Sequence, residues 1–131
     1  MIPSSSIQAL GALLALVAVA AGAFGAHMLK EQLTAGLFEA YKTGVHYQMY
    51  HALALILAGK MYHDSSKPIF SYTASAFLLG IVLFSGSLYL LSLTETRWIG
   101  VLTPLGGLSF LIGWFLFAKG FIQTDSQNLP F

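Results

Sequence analysis

From Ile7 to Ala26 the chain runs for twenty residues with Gln8 as its only strongly polar side chain. A helix needs about 20 apolar residues to cross the hydrocarbon core of a bilayer, so this run identifies the solvent as lipid. Three further runs follow. Val45–Met61 is shorter, with Lys60 placed to snorkel toward head groups. Ile69–Leu93 is long enough to tilt or to extend beyond the membrane, with Ser66 as a cap and Pro68 in the first turn, where a missing N–H costs nothing. Trp98–Ala118 is the fourth, and Trp98 and Trp114 suit the membrane interface, Trp114 being the one placed to lie deeper. The expected fold class is an all-α integral membrane protein, a four-transmembrane-helix bundle. Its spans lie at about 7–26, 45–61, 69–93 and 98–118 in one transmembrane domain, 1–131.

Composition agrees, since 8% of residues are charged, against about a quarter in soluble domains. Ala21-Gly22-Ala23 has the look of a signal-peptide cleavage site. The basic n-region is missing and the apolar run is too long for an h-region, so the segment reads as a membrane helix.

Between the first two runs the pattern changes. Leu29, Leu33, Leu37 and Ala40 share one helical face, while Glu31, Gln32, Glu39 and Lys42 fall elsewhere. Phe38 and Gly36 spoil the separation. The pattern predicts an interfacial amphipathic helix over about 28–43, with a solvated loop as the alternative. In the fourth run, Pro104 followed by Gly106 and Gly107 admits either a short helix capped by Thr103 or a continuous kinked helix, and the kink is the commoner structure. Lys60, Lys67 and Lys119 fall on the side of the termini, and Lys30, Lys42 and Arg97 on the other, so the charges select no orientation. The polar tail Gln123–Phe131 is expected to be loose unless tied to the protein or a partner.

Two seams should hold the helices together. Gly11, Ala15, Ala18, Gly22 and Gly25 form a smooth helix-packing seam on the first span, which suits either a central helix or a dimer contact, the intramolecular reading being the default. Ser71, Ser75, Ser85, Tyr89 and Ser92 form a polar stripe on the third, interrupted by Leu78 and Val82. Such hydroxyls usually bond a neighbouring helix or their own backbone, and a lined water path is the alternative.

Alternation of four helices gathers polarity in one leaflet. The candidate polar cluster is His27, His46, Tyr47, Gln48, His51, Ser85, Ser87, Tyr89 and Thr103, with Tyr50 and Ser92 nearby. It fits a hydrogen-bonded packing cluster, a head-group or small-ligand pocket, or a haem or metal site through His27 and His51. His46 and His51 are five residues apart and so face different ways, and no paired-ligand motif is present. No metal ligand set, resident cofactor or catalytic residue is therefore assigned. The chain has no cysteine, which removes thiolate chemistry. Glu31, Glu39, Asp64, Glu95 and Asp125 all fall in predicted loops, which disfavours an enzyme or a proton-coupled pump. Ser85-Gly86-Ser87 lacks the flanks of a nucleophile motif and reads as close packing. A formal charge of +1 gives no field for nucleic acid.

Gly22-Ala-Phe-Gly-Ala-His-Met-Leu-Lys30, Tyr47-Gln-Met-Tyr-His-Ala-Leu-Ala-Leu55, Phe84-Ser-Gly-Ser-Leu-Tyr-Leu90 and Thr103-Pro-Leu-Gly-Gly-Leu108, then Gly113-Trp114, run through the chain in that order. In these motifs it resembles the YgdD/YwdK-like small membrane proteins, a group of unknown function with animal mitochondrial relatives. The resemblance implies four transmembrane helices in a bacterial cytoplasmic (inner) membrane, because no mitochondrial targeting segment precedes the first run. It implies no activity, cofactor or catalytic residue. The expected role is non-enzymatic: packing in the membrane among lipids, as an accessory or assembly partner of a larger complex or as a homo-oligomer. The alternatives are a small channel or transporter with a polar vestibule, and a lipid, haem or metal site using the histidines.

Overall fold

The computed structural model describes residues 1–127, and every regular element among them is helical. Four long helices account for nearly all of the described residues. α1 runs Ser4–Phe24 and continues through a π-wound last turn, Gly25–Leu29. α2 is a single helix of 31 residues, Ala35–Ser65. α3 spans Pro68–Thr94, with a π-wound turn at Ile81–Ser85. α4 spans Arg97–Asp125, opening as a 3-10 helix over Arg97–Val101. α1, α3 and α4 are long and apolar enough to cross a membrane.

No separate interfacial helix occupies 28–43. Its first residues finish α1, 30–34 form a turn, and the rest opens α2. Thr34 caps α2, its hydroxyl accepting from the Leu37 amide at 3.4 Å. Gly44, between the amphipathic and apolar stretches, is helical and lies under the Tyr89 ring; a Cβ there would lie 2.9 Å from that ring. As a result Glu39 and Asp64 stand in helix rather than in loops, and each is ion-paired one turn away, with Lys42 and Lys60 respectively. Ser66 does not cap α3. It adopts the left-handed conformation (φ 55°) that closes α2, and Lys67 precedes Pro68 at the α3 N-terminus. Pro104 neither starts a helix nor interrupts one. The 3-10 turn becomes α-helix at Leu102, so Pro104 lies just past the change of winding, inside the continuous helix Arg97–Asp125.

The packing is antiparallel and close. Gly11 of α1 lies on Ala52 and Ile56, Gly22 on Val45, and Gly25 under the Tyr41 ring, while Gly59 of α2 lies on Ile7 and Gln8. The α3–α4 hairpin sets Phe70 against Gly120, Phe77 against Gly113 and Phe84 against Gly106, and in the reverse sense Phe110 against Gly80. The three phenylalanines of α3 are seven residues apart, as are their glycine partners. That spacing keeps one face of each helix on its neighbour. α2 packs on both α1 and the α3–α4 pair, so it is α2, not α1, that lies between the two parts of the bundle. Ile7, Leu55, Phe70, Phe77, Phe110 and Phe117 anchor the main core. Of the polar tail, Gln123 accepts a 2.8 Å hydrogen bond from Lys67 through its carbonyl, and residues 128–131 lie outside the described residues.

Candidate functional site

The predicted polar cluster divides into an inner and an outer set. The inner set holds Gln48, His51, Ser85 and Ser87, all buried, with Tyr89 and Thr103 half-buried. Gln48 ties three helices together: its amide nitrogen donates to the Leu14 carbonyl of α1 at 2.8 Å, and its oxygen accepts from the Tyr89 hydroxyl of α3 at 2.7 Å. Ser85 donates to the Gly44 carbonyl of α2 at 2.6 Å. Ser87 and Thr103 share a 2.6 Å bond between α3 and α4. Along the stripe, Ser75 donates to Ser71 and Ser92 to Leu88, each to a carbonyl of its own helix. The predicted seam residues Gly11, Ala18 and Gly25 are buried, with Ala15 and Gly22 half-buried.

His51 finds its partners outside this set. Its Nδ1 is 2.7 Å from the Tyr47 carbonyl one turn back and therefore carries the proton. Nε2 then accepts from the indole N–H of Trp114 at 3.0 Å. The ring stacks on Phe110, 3.5 Å between centroids and 10° between planes. Trp114 thus turns its indole N–H into the bundle, while nearly half of its surface stays exposed. A metal or haem iron would have to displace its N–H to reach His51.

The outer set is His27, His46 and Tyr47, all exposed. His27 stands on the π-wound end of α1, and no hydrogen bond or ring contact joins it to His51 among the described residues. His46 and Tyr50 stack on the outward face of α2, 6.3 Å between centroids. Tyr47 packs its ring on Phe84 at 4.5 Å. Between α2 and α4 a groove of about 490 Å³ opens outward, walled by Tyr47, Phe84, Phe110 and Trp114 with His51 at its floor. Among the described residues, no three His, Cys, Asp or Glu side chains converge as a metal site. Trp114, Phe110 and Tyr41, whose hydroxyl donates to Ala21 at 2.6 Å, were not in the predicted cluster. The Trp114 indole N–H was the available signal, because a donor inside an apolar helix requires an acceptor at the same depth.

The model of the DUF423 family, described as a protein of unknown function, matches residues 21–107. The chain belongs to this family. Among its relatives, the UPF0382 membrane protein YwdK of Bacillus subtilis is 47% identical over 109 residues, covering 82% of this chain and 88% of the relative. The UPF0382 inner membrane protein YgdD of Escherichia coli K12 is 46% identical over 113 residues, covering 85% of each chain. The UPF0382 membrane protein SSP2132 of Staphylococcus saprophyticus is 43% identical over 111 residues, covering 85% of this chain and 92% of the relative. No solved structure matches. This family member is therefore a multi-pass protein of the bacterial cytoplasmic membrane. The family match includes the whole predicted cluster, from His27 to Thr103, and ends before Trp114.

Proposed function

We propose that the chain crosses the bilayer four times and acts there by packing rather than by catalysis, as an accessory or assembly partner of a larger membrane complex or as a small oligomer. The carrying observation is the use of the buried polar groups: no buried side-chain nitrogen or oxygen among the described residues lacks a hydrogen-bond partner. The inner hydroxyls, the Gln48 amide and the His51 ring are consumed in joining helices, and none is left poised for a substrate. α2 supports the fourth crossing, since its partners on α1 run from Ile7 to Gly25 and so cover nearly the length of that helix. Its lower hydropathy comes from residues such as Gln48 and His51, whose polar atoms are satisfied inside the bundle, as membrane burial requires.

A lipid site is the second reading, favoured by the aromatic groove beside His51. A water-filled vestibule has less support, because the hydroxyls that would line it are bonded to carbonyls. The test is crosslinking in the native membrane, followed by sizing in mild detergent. Adducts with a membrane complex, or with itself, are expected. A protein that runs as a monomer and crosslinks to nothing has no packing role.

A further inference from the structure

The inner polar groups are all paired, and the outer ones on α2 are not. Tyr50 stands at the middle of α2, fifteen residues from either end, and is 56% exposed. Gly11 meets Ile56 and Gly22 meets Val45, so Tyr50 is level with the middle of α1 as well. If α2 crosses the bilayer, as proposed above, Tyr50 faces the hydrocarbon near its mid-plane. His46 is one turn away, about 6 Å along the axis, against a hydrocarbon half-thickness of about 15 Å. Among the described residues neither side chain makes a hydrogen bond, although their rings stack side by side. A hydroxyl and an imidazole left unbonded in lipid are costly.

The face that carries them has a defined shape. His46, Tyr50, Leu53 and Leu57 are exposed at intervals of four, three and four residues, the spacing of a coiled-coil seam. Helical side chains lean toward the N-terminus, so the Tyr50 hydroxyl points toward the level of His46. Two such faces brought together in parallel about a two-fold axis are self-complementary. Each Tyr50 reaches the imidazole of His46 on the opposite helix, and Leu53 and Leu57 fill the layers below.

We infer that this outward face of α2 is the contact for a second copy of the chain, joined by reciprocal Tyr50–His46 hydrogen bonds at mid-bilayer. The inference rests on the four-span packing reading and names its partner. Because the chain has no cysteine, single-cysteine variants of the full chain in its own membrane report the contact directly. Leu53→Cys and Leu57→Cys should form disulfide-linked homodimers with copper phenanthroline, while Leu16→Cys and Leu111→Cys, exposed on α1 and α4, should not. Tyr50→Phe in the Leu53→Cys background should weaken dimerisation about ninefold, taking about threefold for each of two interhelical bonds. His46→Leu should do the same, and combining the two should add little, because they remove the same bonds. A purely apolar contact would be unmoved by Tyr50→Phe, which would overturn the hydrogen-bonded pairing. Homodimers through α1 or α4 alone, or adducts of Leu53→Cys only with a different protein, overturn the α2 contact and leave the packing role standing. The absence of any adduct from every face overturns both.

Discussion

At the scale of single residues, His51 shows how a polar ring is kept in an apolar bundle. Both ring nitrogens are committed, one to the Tyr47 carbonyl and one to the Trp114 N–H. Trp114→Phe keeps most of the ring surface but leaves Nε2 without a donor, and should cost about 1–3 kcal/mol. Trp98→Phe, at a side chain 70% exposed, should stay within about 0.5 kcal/mol. Thermal unfolding of both variants in one detergent checks the contrast. The glycines divide in the same way. A Cβ on Gly106 would run into the backbone of Phe84, which cannot rotate aside, whereas one on Gly36 meets nothing. Gly106→Ala is therefore expected to destabilise by about 1–3 kcal/mol or more. Gly36→Ala, on an exposed helical turn, should stabilise by about 0.5–1 kcal/mol. If the two shift the midpoint in the same direction, the close approach of α4 to α3 is misassigned.

At the scale of elements, Gln48 is the joint between α1, α2 and α3. Gln48→Leu removes the acceptor of Tyr89 and strands that hydroxyl, so a loss of about 1–3 kcal/mol is expected. Adding Tyr89→Phe removes the stranded group, and the double variant should be more stable than Gln48→Leu alone. Additive losses would mean that the two side chains do not share a bond. The apolar runs of α1, α3 and α4 were legible in the sequence because lipid demands length and low charge of any helix it surrounds. The apolar run 45–61 was legible as well, but its continuity with the amphipathic stretch before it in one helix, α2, was not, because the two have different surroundings and give different signals. Thr34 caps the start of that one helix, and Gly44 inside it sits under the Tyr89 ring, a tertiary contact. The polar cluster was legible as a set, since alternating helices bring those positions to one half of the bundle. Its division into paired and unpaired members was not, because that depends on rotation of α2 by a fraction of a turn. The sevenfold Phe–Gly register between α3 and α4 is written plainly in the sequence, but its meaning requires knowing that the two helices are neighbours.

At the scale of the whole molecule, the inside resembles a soluble core in its phenylalanines and the outside is apolar too, so hydrophobicity does not separate the two. What separates them is hydrogen bonding and close backbone approach, which are the forces available between helices in lipid. The place of α2 between α1 and the α3–α4 pair follows: its buried side chains Gln48 and His51 turn their polar atoms to α1, α3 and α4. In the four-span reading proposed above α2 crosses with the others, and labelling can decide it. Cysteines placed singly at Gln32, Ser66, Thr96 and Ser126 lie in turns between helices or just past α4 in a chain with no cysteine of its own. With a membrane-impermeant maleimide on oriented vesicles, Gln32 and Thr96 should label to the same extent, and Ser66 and Ser126 to the complementary extent. That relation holds whether the protein inserts in one orientation or in both. Were α2 to lie along the surface, Gln32 and Ser66 would label together, and a bundle of three crossings would replace the four.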